Sequence, residues 1–298
     1  MGLFRKVVKN ALPYYFVKKY QARSEDNPFA PGGFCSPIPS MKEIKEYNFN
    51  LPLPETLPGI DLNSNEQLNL LDLFEPFYKE LPFTDKKSEG LRYYYENGAY
   101  SYSDAIFLHC MIRHLKPKKL IEVGSGFSSC VTLDTNTKFM ENSINCTFIE
   151  PYPKLLKSLL KDNNNENVTI LEKRLQEVPL EVFKELKEND ILFIDSTHVA
   201  KFNSDVNYVF HKILPALSQG VYIHFHDVFY PFEYPKEWLL EGRAWNEQYM
   251  LRTFLEYNKD FKIVLFNTYL ESMYEDQIKN RFPLLYKNTG GSIWIKKI

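Results

Sequence analysis

An alternating α/β architecture on a largely parallel sheet is the fold class this sequence predicts, and three observations predict it. Short apolar runs at 119–123, 146–150, 168–171, 191–195 and 221–226 are separated mostly by helix-compatible stretches, the pattern of strand–helix–strand units. The first run ends in Glu122-Val123-Gly124-Ser125-Gly126 and leaves through small residues toward Cys130 and Leu133, so a strand turns tightly into a helix. Two further runs, 261–266 and 292–296, raise the expected strand number to seven.

Composition bounds the rest. A chain of 298 residues can bury one large core or two small ones. Its 44% hydrophobic and 25% charged content is that of an ordinary soluble globular protein. The net charge of −2 argues against nucleic acid as a general partner. Residues 1–23 carry six basic side chains and no acid, which leaves 30 basic against 38 acidic side chains in the remainder. No run of 18 apolar residues is present, so no transmembrane helix is expected. Cys35, Cys110, Cys130 and Cys146 lack the C-x-x-C spacing of zinc or redox sites and read as free thiols of a cytoplasmic protein.

In chain order, Leu3, Phe4, Val7, Val8, Ala11 and Leu12 share one helical face and Arg5, Lys6, Lys9 and Asn10 largely the other, up to Pro13. Two readings are open for residues 1–20: an interfacial helix at the inner face of an anionic membrane, or a terminal helix packed on the domain or on a second subunit of a homodimer. Pro28, Pro31, Pro37, Pro39, Pro52, Pro54 and Pro58 predict a loop-rich wrap. Residues 65–78 predict an amphipathic helix with Leu68, Leu71, Phe74 and Tyr78 inward. Tyr93-Tyr94-Tyr95 reads either as a lid or as edge packing. Residues 1–99 are thus expected to form an extension, helical and loop-rich, and residues 100–298 the sheet domain. That domain should open with a helix capped by Ser103 and running to about Leu115, on which His109 and His114 are packed or solvated.

The turn at Gly124 carries the first functional expectation. Glycines at 124 and 126 let the backbone approach a ligand, and the helix start offers unpaired N–H groups. Glu150 closes the second strand 26 residues after Gly124, near the roughly 20-residue separation at which an acid meets ribose hydroxyls. Ser129 stands where a third glycine of G-x-G-x-x-G would be, which disfavours a dinucleotide. E-V-G-S-G resembles the first motif of class I S-adenosylmethionine-dependent methyltransferases, whose Rossmann-like sheet ends in an antiparallel seventh strand. The resemblance implies that Glu122, Gly124, Ser125 and Gly126 pass the amino-acid part of S-adenosylmethionine and that Glu150 holds its ribose. Arg174, Leu175 and Gln176 lie where such enzymes meet the adenine, and Gln176 joins the expected cofactor-binding set.

The fourth and fifth strands end in Phe193-Ile194-Asp195-Ser196-Thr197-His198 and His224-Phe225-His226-Asp227. Ligands of open α/β sheets bind at this rim. Carboxylates on adjacent strand ends suit a divalent cation that lowers the pKa of a substrate hydroxyl, and Asp195, His226 and Asp227 are the expected metal ligands. The pattern is similar to the metal-dependent O-methyltransferases of the catechol type. Its histidine makes manganese or another transition metal as admissible as magnesium. His198 matches that family's basic residue near the acceptor hydroxyl, so Asp195 and His198 are the expected catalytic residues. His224 reads as a satisfied buried histidine. The same run, with Ser204-Asp205-Val206 between, resembles bacterial methyltransferases that modify sugars and surface glycans, and this resemblance alone suggests a sugar-like acceptor. Phe229, Tyr230, Phe232, Tyr234, Trp238 and Trp245 offer faces to a sugar ring, and Glu233, Arg243, Asn246 and Glu247 offer hydrogen bonds, with at least half of the aromatics expected in the core. A non-haem iron hydroxylase using the same His/Asp cluster, or a non-catalytic binding protein, are the alternative readings.

Overall fold

The computed structural model describes residues 28–160 and 167–298. The basic amphipathic stretch 1–20, with the membrane or subunit contact expected of it, lies outside the described residues. The chain forms two compact units: residues 28–53 with Tyr234–Trp245 in one, and Pro54–Glu233 with Asn246–Ile298 in the other.

In the smaller unit the proline-rich segment carries one short helix, α1 (Met41–Glu46). Ser40 caps it by accepting the Glu43 N–H, while the Glu43 carboxylate accepts the Ser40 N–H, so two helix-start amides that would otherwise lack partners are satisfied reciprocally.

The larger unit contains α2 (Ser64–Lys79), α3 (Tyr102–Leu115) and a seven-stranded sheet. Its strands are β1 (Lys119–Val123), β2 (Asn145–Ile149), β3 (Val168–Leu171), β4 (Ile191–Ile194), β5 (Tyr222–His226), β6 (Phe261–Phe266) and β7 (Ser292–Lys297), in the order β3-β2-β1-β4-β5-β7-β6. The first five are parallel, and β7 runs antiparallel between β5 and β6. Strands covered on both faces must be apolar throughout; Ile191, Leu192, Phe193 and Ile194 of β4 are all fully buried. Helix α4 (Phe127–Phe139) follows β1 directly. This strand order reverses direction between β1 and β4, which places a crevice at their carboxyl ends.

The expected boundary at residues 99 and 100 does not match the packing. Leu71 and Phe74 of α2 are fully buried in the sheet unit's core, and Asp134 of α4 accepts both the Arg92 and Tyr93 N–H groups and pairs with the Arg92 guanidinium at 2.8 Å. Tyr93 and Tyr95 are therefore core residues and no lid: the Tyr93 hydroxyl donates to the Tyr100 carbonyl, and the Tyr95 ring stacks on Tyr102 at 4.5 Å. Ser103 does not cap α3. The N-cap is Ser101, and the Ser103 hydroxyl donates to the buried carboxyl group of Glu271. His109 is packed as expected, its Nδ1 2.9 Å from the Thr135 hydroxyl and its pKa lowered by burial to about 3.

Gly124 has φ +77°, and a Cβ at this position would lie 1.6 Å from the Asp195 carbonyl oxygen. Gly124→Ala combines a strained backbone with a clash against backbone. The expected outcome is a melting temperature lowered by several degrees, corresponding to about 2–4 kcal/mol, with loss of ligand binding at the same rim; an unchanged thermal denaturation curve would contradict this packing.

Candidate active site

Three strand ends are laced together by main chain. Gly124 N–H donates to the Ile149 carbonyl at 3.0 Å, and Asp195 N–H donates to the Val123 carbonyl at 2.9 Å. The turn after β1, the end of β2 and the loop after β4 thus share one rim. Beside them lies a cleft of about 510 Å³ lined by Gly124, Glu150, Tyr152, Arg174, Leu175, Gln176, Asp195, Lys201 and Asp205 among others, a volume suited to a small-molecule cofactor.

Four of the expected site residues, Gly124, Glu150, Gln176 and Asp195, line this cleft. Glu150 is fixed at its mouth, where its carboxylate accepts the Ser125 N–H at 3.3 Å and the Tyr152 N–H at 2.7 Å. Gln176 donates from its side-chain amide to the Asn203 carbonyl at 2.6 Å. Glu122, Ser125 and Gly126 are placed differently. Glu122 is fully buried behind the turn, where one carboxyl oxygen accepts the Ser128 and Ser129 hydroxyls, each at 2.7 Å. Burial pushes its pKa up to about 8 against the opposing effect of those hydroxyls. Its visible work is to tie β1 to the first turn of α4. Tyr152 and Lys201 join the cleft without having been expected there: Tyr152 comes from the loop that carries Glu150, and Lys201, with Asp205, from the segment that follows Asp195.

The second cluster is centred on Asp195. His198 Nε2 lies 3.2 Å from Asp195 Oδ1 and 3.5 Å from Asp227 Oδ2, and His198 Nδ1 lies 2.8 Å from Glu247 Oε2. His226 Nδ1 lies 3.3 Å from Asp195 Oδ1 and 3.7 Å from Asp227 Oδ1, with its Nε2 3.5 Å from Asp104 Oδ2. Asp104 is held in turn by the Asn267 side-chain amide at 2.9 Å and the Gly291 N–H at 3.2 Å. Four carboxylates thus surround two imidazoles in a largely buried place, where uncompensated negative charge is costly. Donor atoms of Asp195, His198 and Asp227 all lie within 4.8 Å of one another, so the residues present fit a divalent cation.

Two expectations about the histidines change. Burial opposes the charged form of His198, but hydrogen bonds and charge from Asp195 and Glu247 outweigh it and raise its pKa to about 10. This shift favours the charged imidazole, whereas a general base acts from the neutral form. His226 is likewise raised well above its ordinary value, against burial, by the charges of Asp227 and Asp195. Asp195 is depressed below the ordinary carboxylate range, against burial, by the charge of His226 and hydrogen bonds from both imidazoles. His224 is buried as expected but not satisfied: its ring stacks on Phe193 at 4.0 Å, and among the described residues neither nitrogen has a hydrogen-bond partner. Burial keeps it neutral.

The loop expected to meet a sugar is partly core. Tyr230, Phe232 and Tyr234 are buried, and Asn246 and Glu247 are occupied within the protein by the Ala200 N–H and His198. Asp104 and Glu247 are the contributors that sequence reasoning missed in these roles. An acid on the otherwise apolar first turns of α3 was the available signal for Asp104. Glu247 lies 49 residues from its partner and left none.

Comparison with known proteins bears on this rim directly. Residues 121–228, from β1 through the Asp227 loop, match the family model described as "Methyltransferase domain". An uncharacterized protein of Archaeoglobus fulgidus is 35% identical over 170 residues, which cover 55% of this chain and 76% of the archaeal one. The chain belongs to the class I S-adenosylmethionine-dependent methyltransferase family. The methyltransferase is also similar to the solved structure of Podospora anserina PaMTH1 bound to S-adenosylhomocysteine, at 14% identity over 83% of this chain and 100% of the other, with a TM-score of 0.43. The O-methyltransferase TomG of Streptomyces achromogenes aligns at 14% identity over 83% and 92% of the two chains, with a TM-score of 0.45. The match, which spans the cluster's strand ends, favours the methyltransferase reading over the hydroxylase and the non-catalytic binding protein.

The raised pKa of His198 makes a pH prediction for the metal-free methyltransferase. A group whose folded pKa exceeds its unfolded value stabilises the fold fully below the unfolded pKa and loses that contribution as pH rises through the folded one. Stability from His198 should therefore fall between pH 6.5 and about 10. Thermal melts in the presence of a chelator should show a steeper decline over this window in the native protein than in His198→Gln, and parallel declines would contradict the ion cluster.

Proposed function

We propose that this methyltransferase transfers the methyl group of S-adenosylmethionine to a hydroxyl oxygen of a sugar or surface-glycan precursor, with a divalent cation at the Asp195–Asp227 cluster. The observation that carries the reading is the position of Asp195, which lines the cofactor cleft and also belongs to the cluster. A cofactor in the cleft and a cation in the cluster would thus meet at one carboxylate, an arrangement that suits methyl transfer to a metal-held oxygen. The sugar-like acceptor rests on the resemblance of the Asp195–His198 and His224–Asp227 runs to glycan-modifying methyltransferases.

The chain's own groups divide the work. Glu150 meets the ribose hydroxyls, its carboxylate held in place by the Ser125 and Tyr152 amides. Gly124, with no side chain, lets the cofactor approach the strand end. Asp195 and Asp227 would hold the cation together with an imidazole of the same cluster. Such a cation supplies positive charge that lowers the pKa of a neighbouring hydroxyl. In the transfer itself the acceptor oxygen loses its proton and attacks the methyl carbon in line with the leaving sulfur. The C–O bond forms as the C–S bond breaks, releasing S-adenosylhomocysteine, the methyl ether and a proton. Alignment is the protein's main contribution.

Calorimetric titration with S-adenosylhomocysteine should give micromolar binding. Glu150→Ala should weaken it by about 10–100-fold, the equivalent of hydrogen bonds to a charged acceptor. Asp195→Asn should lower kcat by more than about 100-fold while leaving cofactor affinity within a few fold. Release of S-adenosylhomocysteine, assayed against a panel of nucleotide sugars, tests the acceptor class, and Asp195→Asn with undiminished turnover would contradict the role given to the cluster.

A further inference from the structure

Which imidazole completes the cation site is not decided by sequence order. Both histidines flank the same two aspartates, but the fold treats them differently.

His198 is clamped on every side but one. Its carbonyl oxygen accepts the N–H groups of Asn246 and Glu247, at 3.0 and 3.1 Å, where a helix (Glu247–Leu255) begins. The Glu247 carboxylate, only 1% exposed, reaches Nδ1 at 2.8 Å. The remaining nitrogen, Nε2, is thereby aimed at Asp195 and Asp227. Its 3.2 and 3.5 Å separations from their oxygens are what neighbouring donors show around one ion at metal–ligand distances of about 2.0–2.2 Å. A histidine ligand with a carboxylate on its far nitrogen is a recurring arrangement of metal sites, since the carboxylate fixes the ring and raises its basicity. Backbone strain accompanies it: His198 has φ +58° and Asp227 φ +57°, a conformation that non-glycine residues adopt only when the surroundings enforce it. His226 is held differently, with no carboxylate among the described residues within ordinary hydrogen-bond distance of its far nitrogen. Its separations from the two aspartates are 3.3 and 3.7 Å, its far nitrogen is 3.5 Å from Asp104, and its ring lies against Tyr100 at 5.1 Å.

We infer that His198, with Asp195 and Asp227, forms a one-histidine, two-aspartate site for a divalent transition metal, and that Glu247 is the positioning residue that aims the imidazole. His226, backed by Asp104, is an adjacent charged partner outside the ligand set. One nitrogen and two oxygen donors favour manganese, iron, cobalt or zinc over magnesium, and three protein ligands leave coordination positions for acceptor oxygens. The inference rests on the proposed function only for what the metal does, since the ligand set is tested by binding and spectroscopy.

The experiment is manganese(II) binding to the full chain, followed by electron paramagnetic resonance with pulsed detection of directly coordinated imidazole nitrogen. The native protein should show one coupled nitrogen. His198→Ala should lose that signal and at least tenfold in affinity, and His226→Ala should keep the signal. Glu247→Gln, nearly isosteric, should weaken manganese binding by about 10–100-fold, as loss of a histidine-orienting carboxylate does elsewhere. S-adenosylhomocysteine affinity, measured on every variant, reports the fold of the rim and tests the methyltransferase reading separately. A nitrogen signal that survives His198→Ala and disappears in His226→Ala would overturn the assignment. Native protein that binds S-adenosylhomocysteine but no manganese would overturn the site, and unchanged affinity in Glu247→Gln would overturn the positioning role.

Discussion

The close approach of Gly124 to the Asp195 carbonyl is the constraint on which the rest of the site depends. A side chain at residue 124 has no room there, and the same two strand ends are joined by the Asp195 N–H to Val123 carbonyl bond at 2.9 Å. Because β1 and β4 are neighbours in register, with Val123 opposite Ile194, the loop that receives the cofactor and the loop that starts the His/Asp cluster cannot move independently. Methyl transfer needs donor and acceptor held closely in line. Main-chain lacing between adjacent parallel strands provides that rigidity without any side chain.

Charge is the second organising element. Asp104, Asp195, Asp227 and Glu247 converge on His198 and His226 in a largely buried cluster that opens to the cleft at Asp195. The carboxylates raise the pKa of both imidazoles against their burial, which favours charged forms that offset part of this negative charge. Metal ligands must be deprotonated to bind, so a cation bound at this cluster would have to displace protons from it.

Much of the fold was legible because its signals are local. Each strand of this parallel sheet is an apolar run bounded by polar or glycine residues, and the expected runs differ from the observed strands by no more than one residue at either end. The rim was legible for the same reason: Gly124, Glu150, Asp195 and Asp227 all follow directly from strand ends. What escaped depends on contacts distant in sequence. Tyr93 and Tyr95 fit a lid and edge packing equally well in one dimension, and it is Asp134, more than 40 residues away, that draws the segment inward and decides between them. Ser103 has the residue type of a helix cap but meets Glu271 across 168 residues. Glu247 looks like a surface acid in an aromatic loop until the fold sets it on His198.

Metal-assisted transfer requires the cofactor cleft and the Asp195 cluster to be one site. The most direct measurement is nuclear magnetic resonance of S-adenosylmethionine, carbon-13-labelled at its methyl group, bound to the full chain with and without manganese(II). One site predicts severe paramagnetic broadening of the bound methyl resonance, abolished by Asp195→Asn while the cofactor still binds. An unbroadened methyl signal in a protein that has bound both cofactor and manganese would separate the two sites and contradict the account.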